Sequence, residues 1–356
     1  MEDNDLNNMP RPREEMDVRR TFNRRYVQQP DVDAAWRKFS AKHTSTEKTD
    51  NKPHGNIRMI WGFIAGVAAT VAVMLSLNLW NNGTDSPQNE VTQVFNASNN
   101  SDVVLMSGDM TYMLSASGCD SVLLAQGVAA TADSLSYRDV LSDKPQMMTL
   151  VTPHGKDYHV TLSDGTEMWL NAGSRLIFPE RFTGDRRIVE LEGEAYFAVS
   201  KDAQHPFEVR TRFFTASVLG TAFNLRAYTA TDAHVVLVEG KVALQDRNNS
   251  TPILIEPGQK AQWNEQGQFV VNQIDVHSYI QWKDGFFYFD DVPLVEVLQE
   301  LGRWYNVDVI FENSHKMNAR LHFVADRNQN LHSALNHLNM LDIVHVMEEN
   351  NKITVR

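Results

Sequence analysis

The feature that most limits what this chain can become is an uncharged run from Met59 to Trp80, MIWGFIAGVAATVAVMLSLNLW, bounded by Arg58 before it and by Asn81, Asn82 and Asp85 after it. About 20 consecutive, mostly apolar residues suit a hydrocarbon core roughly 30 Å thick. Only Thr70, Ser76 and Asn78 interrupt the apolarity, whereas a buried helix of a water-soluble domain usually keeps a polar face. Trp61 and Trp80 stand at the two ends, where interfacial aromatics anchor a spanning helix. A cleaved signal peptide begins within the first residues and ends in a small-residue pattern, which LNLWNNG does not offer. The expectation is a retained transmembrane helix over residues 58–80, and so a single-pass membrane protein.

Orientation follows from the basic residues. Lys38, Lys42, Lys48, Lys52 and Arg58 crowd the N-terminal flank, and no Lys or Arg occurs between Arg58 and Arg138. That bias puts the N-terminus in the cytoplasm and the C-terminal body in the periplasm of a bacterial inner membrane. Up to Arg58 the chain carries 12 basic and 10 acidic residues, which leaves 21 against 35 of the totals of 33 and 45 for the remainder. An exported part with a balance of −14 is no nucleic-acid binder by bulk charge. The lone Cys119 cannot build a disulfide framework within one chain, which is ordinary for a periplasmic protein.

Residues 1–57 divide in two. The first stretch, to about Gln29, is rich in Asn, Asp, Glu, Arg and Pro, too poor in apolar surface to offset the entropy of ordering. The segment PDVDAAWRKFSAK then places Val32, Ala35, Trp36 and Phe39 at helical spacing, with Asp31 available as N-cap. It predicts one amphipathic helix over about residues 31–42. A helix of that length is marginal alone, so its apolar face calls for a cover. The residues leave two open: a partner protein, or the inner membrane surface.

Beyond the run, residues 81–101 are rich in Asn, Ser, Gln and Thr and read as a periplasmic tether. Residues 102–280 then repeat short apolar alternations: DVVLMSGDMTYMLS, YHVTLSDGTEMWLNAGS, RIVELEGEAYFAVS, HVVLVEGKVALQ and QFVVNQI among them. Asp164-Gly165 is a hairpin signal, and Gly193, Gly220, Gly240 and Pro257-Gly258 punctuate the rest. This pattern predicts an all-β domain, either a sandwich or a short-strand β-solenoid. In residues 281–356 the period changes. PLVEVLQELGRWY places Leu294, Val297, Leu298, Leu301 and Tyr305 on one helical face, Leu331, Ala334, Leu335 and Leu338 repeat that spacing, and strand patterns flank both. A small α+β domain with two helices on a sheet is expected, closed by a hairpin at Asn350-Asn351.

These residues resemble a family: anti-sigma factors of the FecR type, in the form common in Bacteroidetes. The resemblance rests on TPHGKDYHVTLSDGTEMWLNAGSRLIFPERF, RRIVELEGEAYFAVSKDAQHPFEVRT, LGTAFNLRAY, LVEGKV, EPGQKAQW and WKDGFFYFDDVPLVEVLQELGRWYNVDVIFE, in that order. The last block is similar to the short N-terminal domain of secretins and TonB-dependent transducers. The resemblance implies a cytoplasmic segment that binds an extracytoplasmic-function sigma factor. It also implies a periplasmic body that meets the signalling domain of an outer-membrane TonB-dependent transporter, and release through regulated proteolysis by site-1 and intramembrane proteases. On that reading Val32, Ala35, Trp36 and Phe39 are the sigma-binding residues, with Trp36 the anchor.

Nothing in the sequence asks for an enzyme or a cofactor. There is no His-Glu-x-x-His, no Gly-x-Ser-x-Gly, no phosphate-binding Gly-rich loop and no Cys pair. His315, His322, His332, His337 and His345 cluster in sequence, but the five-residue step from His332 to His337 is a poor ligand pair on a helix. Glu190, Glu192 and Glu194 alternate along one strand and are expected to line a solvated face. The alternative to signalling is a membrane-anchored carbohydrate-binding or adhesion protein with Trp169 or Trp263 as sugar platforms, although both positions also suit a core.

Overall fold

The computed structural model describes residues 91–114, 127–140, 144–247 and 251–356, all within the compact unit Asp85–Arg356. The run Met59–Trp80, the amphipathic segment with Val32, Ala35, Trp36 and Phe39, and Cys119 lie outside the described residues. Among the described residues no helix is long and apolar enough to cross a membrane.

The alternating stretches become strands: β1 (Thr92–Phe95), β2 (Val103–Ser107), β3 (Met110–Leu114), β4 (Ala129–Ala130), β5 (Ser134–Ser136), β6 (Met147–Val151), β7 (Tyr158–Thr161), β8 (Glu167–Leu170), β9 (Arg175–Pro179), β10 (Arg187–Ala198), β11 (Phe207–Arg210), β12 (Phe214–Val218), β13 (Ala222–Ala227), β14 (Ala233–Glu239), β15 (Val242–Asp246), β16 (Ile253–Ile255), β17 (Gln259–Trp263) and β18 (Phe269–Gln273). The seventeen from β2 to β18 wrap one apolar interior as a flattened barrel. It consists of two sheets. One runs β3-β2-β6-β9-β10-β11-β12-β15-β16. The other runs β4-β5-β7-β8-β10-β13-β14-β17-β18.

The chain lays one or two strands in the first sheet, crosses, lays one or two in the second, and crosses back. The alternation of a solenoid and the two-layer core of a sandwich are thus both present, which is why the strand pattern alone does not separate them. Only β10 belongs to both sheets. Its residues 187–192 pair with β11 and β9, and its residues 193–198 with β13 and β8. The passage falls at Gly193, whose φ of 111° is open to glycine and strained for other residues. Between the sheets, Phe197 stacks on Phe223 at 4.9 Å and meets Phe207 edge-on at 6.3 Å, so the shared strand also carries the aromatic centre of the core.

A short helix α1 (His277–Ile280) and a 3-10 turn (Gln281–Asp284) lead into the C-terminal domain: β19 (Phe286–Pro293), α2 (Leu294–Tyr305), β20 (Asp308–Phe311), β21 (Arg320–Asp326), α3 (Leu331–Asn339), β22 (Val346–Glu349) and β23 (Lys352–Val355). Both expected helices are present. Leu294, Val297, Leu298 and Leu301 of α2 share one buried cluster with Leu331, Leu335 and Leu338 of α3. The β22–β23 turn places Asn350 and Asn351 at φ 52° and 61°, the left-handed pair that a tight hairpin requires.

Two expectations are corrected. The domain has two sheets where one was expected: β1-β20-β23-β22 and β19-β21. β19 and β21 are separated in the chain by α2 and β20 and pair antiparallel with each other alone, across a bulge between Phe289 and Val292, so these two strands form a separate layer. The second correction concerns residues 81–101, read as a polar tether. Thr92–Phe95 is an edge strand of the C-terminal sheet, antiparallel to β20. Ala97 and Ser98 continue the attachment, donating their N–H groups to Asp308 Oδ1 (2.9 Å) and Asn306 Oδ1 (2.7 Å). The physical cause is a gap on α2: Phe95 lies where a Cβ on Gly302 would be, 2.8 Å away, and one aromatic in that notch holds an otherwise polar segment in the sheet.

Candidate functional site

Helix α2 has two covered faces. Its apolar face meets its own domain, while its polar face, which amphipathicity alone would give to water, packs on the outer side of the β-body. Glu300 (6% exposed) and Arg303 (7%), one helical turn apart, face Glu194 (3%) from β10 and Asn224 (0%) and Arg226 from β13; Asn171 (0%) comes from the end of β8, and Arg327 (2%) from the end of β21.

The geometry is a continuous network, in which the Nε of Arg327 is the one buried side-chain polar atom without a hydrogen-bond partner. Arg226 Nη1 donates to Glu194 Oε2 (2.8 Å) and to Glu300 Oε2 (3.0 Å), while its Nε reaches Asp232 at 2.8 Å. Arg303 Nη1 donates to Glu300 Oε2 (2.5 Å), and its guanidinium lies 3.8 Å from the Tyr228 ring. Asn171 Nδ2 donates to Glu194 Oε2 (2.8 Å) and Glu300 Oε1 (3.1 Å), and Asn224 Nδ2 to Glu194 Oε1 (2.9 Å). Arg327 donates to Asn171 Oδ1 (2.8 Å) and to the Trp282 carbonyl (3.0 Å), with its guanidinium 3.8 Å from the Trp304 ring. Trp282 Nε1 donates to Asn224 Oδ1 at 3.2 Å. Glu194, Asp232 and Glu300 balance Arg226, Arg303 and Arg327.

Burial opposes the charge on Glu300, yet Arg226, Arg303 and Arg327 around it hold its carboxyl down to about 2. Burial likewise weighs against charge on Arg226, and Asp232, Glu194 and Glu300 more than offset it. Such an arrangement adds little net stability over an apolar interface, but any other docking angle would strand charges out of water. The junction therefore fixes the angle between the β-body and the C-terminal domain.

Beside the network, β1 touches both parts. The Phe95 ring lies 5.1 Å from His154 of the β-body and 5.8 Å from the Arg303 guanidinium. His154 Nδ1 is 3.3 Å from Asn306 Oδ1, and Gln299 Nε2 donates to the Val94 carbonyl at 3.2 Å. Burial, reinforced by Arg303 and opposed by the Asn306 contact, lowers the His154 pKa. Burial with Lys260 and Arg226 lowers that of His234 further. Both imidazoles thus stay neutral in the fold to lower pH than in the unfolded chain, which takes up the extra protons below about 6.5. Stability present above that value should fall on acidification, and thermal melts of wild type and His154→Gln at pH 7.5 and about 5.5 should show a smaller drop in the variant.

Of the residues singled out in sequence, Glu190 and Glu192 lie on the open side of the first sheet, and Arg212 pairs with Glu192 at 3.1 Å. Glu194 was expected on the same solvated face, and that is corrected: beyond Gly193 the strand runs in the second sheet, whose outer side the C-terminal domain covers. Trp169 faces outward between His159 (4.6 Å) and Tyr196 (5.7 Å), and Trp263 packs beside Phe214 and Phe269 of the core. His322 meets Asp290 at 2.5 Å on the surface, while His332 and His337 lie on α3. Among the described residues no three His, Cys, Asp or Glu side chains are placed to hold a metal ion. Asn171, Arg226, Glu300 and Arg303 fall within the sequence blocks that carry the family resemblance, but neither periodicity nor a catalytic motif singles them out. Arg226 in an apolar strand and Glu300 with Arg303 beside Leu301 were the available signals.

A flattened two-sheet barrel locked to a small α+β domain defines a two-part β-rich module. The model of the family described as FecR protein matches residues 148–243, and that described as FecR, C-terminal, matches 286–355. Two crystal structures of a candidate anti-sigma factor from Parabacteroides distasonis, at 1.65 and 2.50 Å resolution, are similar to this chain at 30% identity and a TM-score of 0.54. The chain covers 98% of each, and they cover 58% and 59% of it. No curated protein matches significantly. The chain belongs to the FecR family.

Proposed function

We propose that this chain is a membrane-anchored anti-sigma factor, a regulator that acts by binding rather than turnover. The observation that carries the reading is family membership together with 30% identity to the candidate anti-sigma factor over 98% of its length. In this reading Met59–Trp80 spans the bacterial inner membrane with the N-terminus in the cytoplasm. Val32, Ala35, Trp36 and Phe39 dock on an extracytoplasmic-function sigma factor, and no nucleic acid is contacted directly. The β-body and the C-terminal domain lie in the periplasm and receive the signalling domain of an outer-membrane TonB-dependent transporter.

The place of β1 supports a route for the signal. Thr92 follows Trp80 by about a dozen residues, and β1 is held by the C-terminal sheet, by α2 and by His154. A partner that disturbs the C-terminal domain thereby acts on the chain next to the membrane. Loss of β1 from the sheet frees residues 92–98 from their pairing and hydrogen bonds, and a site-1 protease needs an unpaired, extended segment. Cleavage by it, then by an intramembrane protease, releases the sigma factor.

The test is capture of the organism's extracytoplasmic-function sigma factors on the full chain. One sigma factor should be retained specifically, and Trp36→Ala should weaken retention by about 30-fold or more, as loss of a buried aromatic anchor does. Equal retention by the variant, or an N-terminal segment that binds lipid vesicles and no sigma factor, would overturn the reading.

A further inference from the structure

Five consecutive residues, Phe286 to Asp290, line a cleft of about 1170 Å³ between the outer side of the β-body and α2. β21 pairs with one edge of β19, and among the described residues no strand pairs with the other. That second edge is unpaired by any described strand and borders the cleft, an open edge of the kind that accepts an added strand.

The rest of the cleft states what kind of strand. Glu265, Asp275, Asp290 and Glu296 line it against one cation outside the ionic network, Lys260, which is engaged with Tyr279 by its Nζ at 3.3 Å from the hydroxyl. Glu265, Asp275 and Glu296 make no ion pair among the described residues. Tyr279, Tyr288 and Phe289 supply aromatic faces on which guanidinium groups stack well. His234 of β14, also lining the cleft and 6% exposed, has an Nε2 without a hydrogen-bond partner.

We propose that this cleft is a docking site for an extended, arginine- or lysine-bearing segment of a partner protein, added as a strand along the free edge of β19. The carboxylates and aromatic rings receive its basic side chains. The proposal rests on the anti-sigma reading only for the partner's identity, since the edge and its charge hold whether or not the cytoplasmic segment binds a sigma factor.

The test uses the full chain and a fluorescent peptide of about eight alternating Arg and Val residues, the length of an ordinary strand, beside its Glu/Val counterpart. The Arg peptide should bind and the Glu peptide should not. The triple variant E265Q/D275N/E296Q should weaken binding by about tenfold or more, and salt raised to roughly 0.5 M should do likewise, with an unchanged melting temperature of the variant showing that it is folded. N-methylation of alternate peptide nitrogens tests the strand geometry, because only one edge of the guest can pair: one register should abolish binding and the other preserve it. Absence of binding, equal binding of both peptides, an unaffected triple variant, or equal effects of the two methylation registers would each overturn the proposal. So would self-association of the chain that the triple variant abolishes, since the occupant would then be a second copy. Sigma-factor capture is a separate readout, so failure here and failure of the anti-sigma reading are distinguishable.

Discussion

Glu300→Ala is expected to cost about 3–5 kcal/mol of unfolding free energy, the range for removing one partner from a buried ionic pair. The carboxylate accepts hydrogen bonds from Arg226, Arg303 and Asn171, and without it the buried guanidiniums of Arg303 and Arg327 and the part-buried one of Arg226 face two carboxylates. Glu300→Gln, which keeps the volume and one carbonyl acceptor, should lose less than the alanine variant. Arg320→Ala breaks an ion pair with Asp291 that is more than half exposed, and should stay within about 1 kcal/mol. Urea titrations of the three variants followed by near-ultraviolet circular dichroism give the comparison. A loss for Glu300→Ala no larger than that for Arg320→Ala would remove the claim that this junction holds the two parts together. The same carboxyl sets an acid limit. Its pKa is lowered in the fold from an ordinary 4.5 to about 2, so its contribution is complete above about 4.5 and is lost as pH falls between those values.

Gly193→Ala should be of comparable size for a different reason. A Cβ there would sit 2.6 Å from the Ser174 Cα, in backbone that cannot swing aside, and the φ of 111° is strained for alanine. Backbone strain and overpacking of this kind cost about 1–3 kcal/mol each. Ser174 is also tied in place: its Oγ donates to the Glu194 carbonyl (3.1 Å) and accepts from the Glu194 N–H (3.0 Å), so movement to admit the methyl group would disturb the ionic junction as well. Gly184→Ala is the control, because the nearest atom to its added Cβ is 3.9 Å away and its φ is not positive. Denaturant midpoints should separate the two variants clearly, and equal midpoints would show that β10 can change sheets without a glycine.

These two positions also show where sequence reasoning stops. Glu194 continues the spacing of Glu190 and Glu192, and alternation reports only that the three share a side of the strand. It does not report that the strand changes sheets at Gly193, or that α2, far along the chain, covers the half of β10 beyond that glycine. The β1 segment is a similar case. Val94 and Phe95 are too few apolar residues among Asn, Gln, Ser and Thr to signal a strand, and the strand exists because β20 offers an edge and Gly302 a notch.

Local periodicity determined the rest. Period-two runs named most strands of the β-body, though not β4, β5, β6 and β9, helical spacing named α2 and α3, and Asn350-Asn351 named the final turn, because each depends on backbone geometry and on which side chains leave water within a few residues. Tertiary structure alone decided which sheet each strand joins, that a tether residue becomes a wedge, and that the polar face of α2 is buried as well as the apolar one. Those outcomes depend on surfaces that meet from distant parts of the chain, where desolvation is offset only by partners that no local pattern can reveal.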